Sequence, residues 1–254
     1  MHTLDHTENI IEVKGVSFSY SGERILDNIS FNLHRGDFLG VIGPNGSGKT
    51  TLFKVILGIL KPSSGSVSIF GRDLSVFKDW KKIGYVAQKA TNFDPKFPVT
   101  VREVVAMGRY AQVGLFRFLG KHDWRTVDTA LKHVGMFDHR NLSVGDLSGG
   151  QQQRGFIARA LASEPEIVLL DEPTVGVDQK TQGEFYTLLK KLNDELKLTL
   201  VLISHDISVV AKEVTEIAYI NRRLVYYGEP KEFLKEISGD KYCGKGVKLI
   251  HHHA

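Results

Sequence analysis

The sequence predicts an α/β fold in which a parallel sheet is accompanied by a smaller antiparallel sheet and a helical subdomain. The first third of the chain consists of short β-rich runs. An apolar run then leads through a glycine-rich turn into a helical pattern. The last third alternates between strand and helix, and such alternation usually produces a parallel sheet. These three observations together predict the fold class.

The N-terminal elements follow from periodicity and turn signals. Residues 11–20 and 25–33 are β-rich and flank a turn sequence at 21–23, so we expect an antiparallel pair. Residues 38–42 form a continuous apolar run, which predicts a buried strand. Residues 51–60 carry apolar side chains at helical spacing, which predicts a helix directly after the glycine-rich turn.

The rest of the chain is predicted to hold the helical subdomain and the remaining parallel strands. The subdomain covers about residues 90–162, with amphipathic helices expected at 100–110 and 122–134. Strands are expected at 167–170 and 198–203, with an amphipathic helix between them. The pattern therefore returns to α/β alternation after the helical subdomain.

Length and composition fit a single folded domain. The chain has 254 residues, of which 42% are apolar and 24% charged, as in ordinary globular proteins. We expect one domain over 1–236 and a flexible tail over 237–254. No run is long enough to cross a bilayer and the N-terminus lacks the features of a secretory signal, so a cytosolic chain is expected. The single cysteine, Cys243, cannot form an intramolecular disulfide, which fits a reducing compartment.

The mild positive charge does not predict a nucleic-acid partner. The net charge is +4 and the isoelectric point is about 9.0, but the basic residues are spread along the chain and offset by 29 acids. Docking to a membrane protein beside anionic lipid would use the same charge.

A glycine-rich segment matches the phosphate-binding pattern G-x-x-x-x-G-K-[ST] and lies between the predicted strand and helix. Its residues are Gly43, Pro44, Asn45, Gly46, Ser47, Gly48, Lys49 and Thr50. The N–H groups of such a turn and the positive end of the following helix bind phosphate oxygens. We expect Lys49 to neutralise the β- and γ-phosphates and Thr50 to offer its hydroxyl to Mg²⁺. The segment therefore predicts a site for Mg·ATP.

Two acids follow the strand predicted at 167–170. Asp171 and Glu172 end a continuous apolar run, and adjacent carboxylates in such a place need cations or protons. Asp171 is a candidate ligand of hydrated Mg²⁺, and Glu172 is a candidate for polarising the attacking water. Capping of the next helix is the alternative explanation of both acids.

A second glycine-rich element opens a helix. Residues 147–154 read Leu-Ser-Gly-Gly-Gln-Gln-Gln-Arg, and the apolar residues after them keep helical spacing. A helix start of this kind implies a second anion site. Because one phosphate loop suffices for one nucleotide, a simple helix start is the alternative.

The order of these motifs resembles the ATP-binding cassette (ABC) ATPases over about residues 10–236, and residues 147–151 have the form of the family signature. The resemblance implies a P-loop NTPase core with an antiparallel β subdomain and a helical subdomain. Taken alone, Tyr20 and Gln88 would be ordinary surface or core residues, and His205 could be a core histidine. Their place in the order of motifs gives them functional weight.

The resemblance assigns a role to each site residue. It implies that Tyr20 stacks on adenine, that Gln88 senses Mg²⁺ and the attacking water, that Asp178 couples two active sites and that His205 contacts the γ-phosphate. The implied nucleotide-binding residues are Tyr20, Gly43, Pro44, Asn45, Gly46, Ser47, Gly48, Lys49, Thr50, Thr51, Ser148, Gly149, Gly150, Gln151 and Asp178. The implied Mg²⁺ residues are Thr50, Gln88 and Asp171, and the implied catalytic residues are Lys49, Gln88, Glu172 and His205.

The resemblance also implies a homodimer. In the family two subunits pack head to tail, so that Ser148, Gly149 and Gly150 of one copy close over the γ-phosphate bound by Lys49 of the other. An isolated chain should then bind ATP but hydrolyse it poorly, since phosphoryl transfer depends on positioning and charge stabilisation. Closure and reopening of the pair would convert ATP turnover into motion.

The resemblance further implies transport with a separate polytopic permease, which would dock near Gln88 and the helical subdomain at the cytoplasmic face of the membrane. Short separate ATPases are typical of importers, which receive cargo from an extracytoplasmic substrate-binding protein. Residues 150–161, 172–178 and 185–186 resemble the zinc and manganese uptake branch. Residues 100–109 also resemble the corresponding segment of iron-siderophore and cobalamin ATPases, so an importer of either kind remains an alternative. A soluble ABC ATPase acting in DNA repair or translation, or an exporter subunit, is also open.

The chain ends in three histidines, His251, His252 and His253. Imidazoles on a flexible tail can bind Zn²⁺, which suggests a metal-sensing tail. A purification-tag remnant or an inert tail explains the same residues.

Overall fold

The computed structural model describes residues 8–88, 98–114, 117–174 and 179–238. They form two compact units: the first unit comes from residues 1–78 and 199–254, and the middle unit from residues 79–198. Among the described residues, no helix combines the length and the apolar character needed to cross a bilayer. Cys243 and the histidines at 251–253 lie outside the described residues.

The elements are as follows. The strands are β1 (Asn9–Tyr20), β2 (Glu23–His34), β3 (Phe38–Ile42), β4 (Ser64–Ile69), β5 (Arg72–Asp73), β6 (Ile83–Val86), β7 (Ile167–Asp171), β8 (Thr199–Ser204), β9 (Glu216–Asn221) and β10 (Arg223–Gly228). The α-helices are α1 (Lys49–Ile56), α2 (Val101–Ala106), α3 (Tyr110–Val113), α4 (Lys121–His133), α5 (Gly149–Leu161), α6 (Gln179–Leu196), α7 (Ile207–Glu213) and α8 (Pro230–Ser238).

The first unit contains an antiparallel sheet in the order β2-β1-β4-β5. β1 and β2 pair across the turn after Tyr20, and they have apolar residues at alternating buried positions. This alternation is typical of strands that bury one face. The predicted antiparallel sheet is confirmed.

The first unit also contains parallel strands in the order β10-β9-β3-β8. β3 pairs in parallel with both β8 and β9, while β10 is antiparallel to β9. All residues of β3 and β8 are buried, as expected for continuous apolar runs covered on both faces. The carboxyl end of β3 leads directly into the glycine-rich loop, which positions that loop at the edge of the parallel strands.

The helix after this loop is shorter than the sequence predicts. α1 begins at Lys49, and it ends at Ile56 instead of continuing to residue 60. Gly58 adopts a left-handed φ of 67°, and the N–H of Ile59 bonds back to Lys54 O at 2.8 Å. These are features of a helix C-terminus closed by glycine. The apolar spacing continued to Ile59, but that side chain is 61% exposed.

The middle unit pairs β6 in parallel with β7 and contains helices α2 to α6. The helix predicted at 122–134 is confirmed as α4, whereas the one predicted at 100–110 breaks into α2, a 3₁₀ turn at Met107–Arg109 and α3. Gly108 lies so close to the neighbouring backbone that a Cβ there would be 2.0 Å from Arg159 O. The backbone at Gly108 therefore packs closely against α5 at the point where the predicted helix is interrupted.

Candidate functional site

The loop between β3 and α1 is a tight turn packed against β9. Gly43 has a φ of 152°, and a Cβ at this residue would lie 2.0 Å from Ile220 O. Gly48 has a φ of 102°, and a Cβ there would lie 2.6 Å from a methyl of Leu26. Only glycine fits such positions without strain. The glycines therefore fix the loop in one conformation in front of the first turn of α1.

Lys49 is buried and turned toward the loop that precedes it. Its Nζ donates to Gly43 O and to Pro44 O, each at 2.9 Å. The hydroxyl of Ser47 is buried and has no hydrogen-bond partner among the described residues. A cation, an unpaired hydroxyl and the N–H groups at a helix start are all suited to phosphate oxygens. The loop thus has the donors of an anion site.

Tyr20 and His205 lie in the same unit as the loop. Tyr20 ends β1 with 45% of its surface exposed, and its ring meets Phe18 edge-on at a centroid distance of 4.7 Å. This leaves the tyrosine available for stacking on a flat ligand. His205 is exposed and follows β8 directly. The next residue, Asp206, caps α7 by accepting from Val209 N at 3.3 Å. Because His205 is exposed, the alternative of a core histidine at this position is wrong.

In the middle unit, Asp171 ends β7 and is only 2% exposed. The hydroxyl of Tyr85 on β6 contacts Asp171 Oδ2 at 3.4 Å. The pKa of Tyr85 is raised to about 12, mainly because the phenol is partly buried and secondly because the charge of Asp171 is close to it. The tyrosine therefore stays a neutral donor at physiological pH and keeps a partner at this carboxylate.

Glu172 has an unusual backbone conformation. Its φ is 45°, in the left-handed region that residues other than glycine rarely adopt. Its carboxylate accepts a hydrogen bond from Gln88 Nε2 at 2.8 Å. The structure thus brings together two of the residues that the sequence assigned to the attacking water.

The signature segment caps α5. Ser148 Oγ accepts from Gln151 N at 3.3 Å, and Gln151 Oε1 accepts from Ser148 N at 3.0 Å, which completes a capping box. A Cβ on Gly149 would meet nothing within 4 Å, whereas a Cβ on Gly150 would lie 2.5 Å from Thr181 Cγ2. One side of the helix start therefore faces open space while the other packs inside the unit. Gln151 Nε2 also lies 3.3 Å from His139 Nε2.

Sequence reasoning missed two residues that support these groups. Tyr85 belongs to no motif. Only its position as the third residue of a short strand could have indicated which face of the sheet its side chain lies on. Gln153 is buried on α5, and its Nε2 donates to Pro173 O at 2.5 Å. This bond links the signature helix to the segment that follows Glu172. The glutamine lay inside the signature run, but nothing in the pattern separated it from its neighbours.

The two units divide the assigned residues between them. The first unit carries Tyr20, the loop from Gly43 to Thr51, and His205, whereas the middle unit carries Gln88, Asp171, Glu172 and Ser148 to Gln151. Asp178 lies outside the described residues.

A phosphate-type loop, an acidic strand end and a capped glycine signature define an ABC-type ATPase. A family model described as "ABC transporter" matches residues 26–175, and the chain belongs to this family. The family binds and hydrolyses ATP, so the chain is an ATPase, and the predicted class and fold are confirmed.

Relatives that carry out metal transport are similar over nearly the whole chain. The zinc uptake system ATP-binding protein ZurA of Listeria monocytogenes is 50% identical over 226 residues, which cover 89% of this chain and 88% of that protein. The manganese transport system ATP-binding protein MntB of Halalkalibacterium halodurans is 42% identical over 219 residues, which cover 86% of each.

A solved structure shows the same fold. A dimeric ATP-binding cassette in a post-hydrolysis state, bound to ADP and Pi, is 31% identical to the chain with a TM-score of 0.71. The match covers 87% of this chain and 98% of that one.

Proposed function

We propose that this chain is the ATP-hydrolysing subunit of an importer for divalent metal ions, with zinc as the first candidate cargo and manganese as the second. The observation that carries the proposal is the 50% identity to ZurA over 89% of the chain. The 42% identity to MntB supports the manganese alternative. One ABC ATPase domain over residues 1–236, with its helical part at about 90–162, would do this work.

The nucleotide would be held by the residues that the sequence assigns to it. Tyr20 would stack on adenine, and the loop from Gly43 to Thr51 would bind the phosphates, with Lys49 neutralising their charge. Support comes from the exposed ring of Tyr20 and from the donors gathered at the loop. Binding of an ATP phosphate would replace the bonds of Lys49 to neutral loop carbonyls with stronger bonds to an anionic oxygen, in which both partners are charged.

Thr50, Gln88 and Asp171 are proposed as Mg²⁺ residues on ligand type alone, because Mg²⁺ prefers oxygen ligands. For Asp171, the burial of its carboxylate beside a neutral tyrosine adds support. Bound Mg²⁺ supplies positive charge that offsets the charge of the phosphates. Glu172, oriented by Gln88 at 2.8 Å, would accept a proton from the attacking water, and His205 would contact the γ-phosphate.

Two copies would act as a head-to-tail pair. Ser148, Gly149, Gly150 and Gln151 of one copy would close over the γ-phosphate held by Lys49 of the other, and Asp178 would couple the two sites. The open side of the helix start at Gly149 supports this arrangement, since helix N-termini attract anions. The dimeric relative bound to ADP and Pi supports it too.

A groove in the middle unit supports a permease partner. It has a volume of about 530 Å³ and is lined mainly by apolar and aromatic residues: Val99, Glu103, Ala106, Met107, Tyr110, Phe118, Leu119 and Trp124. Phe118 is 99% exposed, and such exposed apolar surface marks interaction sites. A cytoplasmic helix of a polytopic permease would fill the groove with its apolar face. The chain would then be peripheral at the cytoplasmic face of the membrane, downstream of an extracytoplasmic substrate-binding protein.

Two substitutions test the shared ATP site because they should fail differently. Glu172→Gln keeps the size of the side chain but removes its charge, so hydrolysis should fall at least about 100-fold while ATP holds the chains together as a stable dimer. Lys49→Ala should weaken ATP binding itself and leave the chain monomeric. Turnover would be measured by phosphate release and mass by light scattering, with Glu195→Gln on α6 as the control. Unchanged turnover in Glu172→Gln would remove that residue from the proposed role.

Cargo is tested separately, in cells that lack the chromosomal copy of this chain. Uptake of radioactive zinc and manganese would be compared after complementation with the wild type, Glu172→Gln or Glu195→Gln. Restoration of zinc uptake by the wild type and by Glu195→Gln supports the first candidate, and restoration of manganese uptake supports the second. If neither uptake depends on the chain, the import proposal is wrong.

A further inference from the structure

We propose that the first unit carries a metal site of its own, formed by His34, Asp37 and Glu216 and suited to Zn²⁺. Each of the three residues offers one ligand atom, and these atoms all lie within 4.8 Å of one another. None of these three residues belongs to the nucleotide loop or to the run of histidines at 251–253.

The first two ligands are brought together by a tight turn. Asp37 N donates to His34 O at 3.2 Å, and Asp37 Oδ2 accepts from His34 N at 2.8 Å, so the turn between β2 and β3 is closed by both backbone and side chain. Gly36 within it has a φ of 83°. As a result His34 Nδ1 lies 3.2 Å from Asp37 Oδ2. The positions of both side chains therefore follow from the turn.

The third ligand is placed by sheet pairing. β9 runs parallel to β3 with Glu216 opposite Leu39, and Thr215 N donates to Phe38 O at 2.8 Å. This pairing places the first residue of β9 beside the start of β3, two residues along the chain from Asp37. Glu216 Oε2 also accepts a hydrogen bond from the hydroxyl of Tyr227 on β10. Two neighbouring strands thus hold the glutamate at the turn.

The charges of the cluster favour a dication. Asp37 is 3% exposed, and Glu216 is half-buried with its carboxylate close to it. Two carboxylates that share a partly buried place destabilise each other when both are ionised. A divalent ion would neutralise both carboxylates at once.

The ligand types select the metal. Mg²⁺ and Ca²⁺ prefer oxygen ligands alone, whereas one imidazole and two carboxylates suit Zn²⁺, which such sites bind more tightly than Mn²⁺. Ligands of tetrahedral Zn²⁺ lie about 2.0–2.2 Å from the metal and therefore about 3.4 Å from each other. The His34–Asp37 pair already has this spacing at 3.2 Å, and rotation of the Glu216 side chain would complete it. A water would take the fourth position.

The site lies at the opposite end of β3 from the phosphate loop. Asp37 precedes the first residue of the strand and Gly43 follows the last. Five residues of extended chain span about 17 Å. Zinc bound at the turn is therefore distinct from the Mg²⁺ that accompanies ATP.

Calorimetry of the full-length chain tests the site. The parent protein would carry His251→Ala, His252→Ala and His253→Ala, so that the terminal histidines do not bind metal, and it would be treated with chelator and titrated with zinc chloride without nucleotide. We expect one equivalent of zinc to bind the parent. His34→Gln and Glu216→Gln should each weaken binding at least tenfold, while the exposed control Glu229→Gln should not. Equal affinity in all these variants, or no zinc binding by the parent, would overturn the proposal.

Two further measurements are made on the parent protein, and the second is repeated on one variant. X-ray absorption at the zinc edge of the loaded parent should show one imidazole among oxygen ligands, and a shell with two or more imidazoles or with sulfur would contradict the assignment. Zinc should also raise the melting temperature of the parent, because a ligand that binds only the folded state stabilises it. Glu216→Gln retains an acceptor for Tyr227, so a missing zinc shift in that variant reports the lost ligand.

Discussion

The two glycine-rich segments of this chain both open helices, yet their own surroundings hold them very differently. In the loop at 43–50 a Cβ on Gly43 would collide with backbone, and Lys49 is bonded to the carbonyls of the loop itself. In the signature segment Ser148 and Gly149 are exposed, and a Cβ on Gly149 would meet nothing. The first segment is complete within one chain, whereas the second has an unoccupied side. This difference agrees with the proposed site shared between two copies.

The largest effect is expected at the first segment. Gly43→Ala places a methyl 2.0 Å from Ile220 O at a φ of 152°. We expect a loss of at least about 3 kcal/mol of unfolding free energy, or about 6 °C in melting temperature, and loss of ATP binding. Thermal unfolding followed by circular dichroism and a nucleotide-binding titration would measure both. A stable variant with normal ATP affinity would show that the loop is less confined than its geometry indicates.

The matched substitution in the second segment should leave the isolated chain intact. Gly149→Ala adds a methyl in open space at the first residue of α5, where alanine is the better helix former. The melting temperature and ATP affinity should therefore stay the same or rise slightly. Hydrolysis at protein concentrations that allow pairing should fall at least about tenfold, because the methyl would meet the nucleotide of the other copy. Wild-type turnover in this variant would argue against the shared site.

A smaller effect is expected at the buried hydrogen bond from Gln153, on the helix that the second segment opens, to the residue after Glu172. Gln153→Ala leaves Pro173 O without its donor, which should cost about 1–3 kcal/mol. Turnover should also fall, because Pro173 adjoins Glu172. Gln112→Ala, which removes a similar bond of 2.6 Å to Ser163 O, is the control. We expect Gln112→Ala to lose less stability in urea titrations, because its bond is only part-buried, and to keep wild-type turnover, whereas Gln153→Ala should lose both. Equal activities would show that the link is structural alone.

The smallest effect concerns a residue outside both segments. The pKa of Tyr85 is raised to about 12, while an unfolded tyrosine titrates at about 10. The unfolded state therefore releases this proton first, and stability falls as the pH rises from about 10 to 12. Tyr85→Phe should lose less stability than the wild type between pH 9 and 11, by at most about 1.4 kcal/mol. Urea midpoints at the two pH values would test this, with the exposed Tyr110→Phe as the control.

Continuous apolar runs made much of the fold predictable. β3 was predicted at its observed bounds, and β7 and β8 within one residue at one or both ends, because strands buried on both faces leave an unbroken pattern. Helix ends were harder. α1 stops before the apolar spacing does, because Gly58 closes it, and the helix predicted at 100–110 breaks where Gly108 packs against α5. Tertiary packing determined where these helices end, and the spacing of apolar residues along the chain does not show that packing.

The candidate site was predictable where a motif fixes the residue types. The loop and the acids after β7 were identified from the pattern alone, whereas the signature was recognised through the family resemblance. The bond of 2.8 Å between Gln88 and Glu172 joins residues 84 positions apart, and the contact of Tyr85 with Asp171 likewise depends on the pairing of β6 with β7. The resemblance had assigned Gln88 and Glu172 to the same water, but the contact of Tyr85 with Asp171 could not be predicted, since a sequence shows which residues are present but not which strands become neighbours.

The left-handed backbone of Glu172 implies that its side chain is aimed by the main chain as well as by Gln88. A glycine would adopt a φ of 45° with little strain, whereas glutamate adopts it at a cost of about 1 kcal/mol or more. Natural selection for tighter folding alone would therefore favour the residue that cannot polarise water. Under the role proposed for Glu172, glutamate at this position gives up folding stability in exchange for turnover.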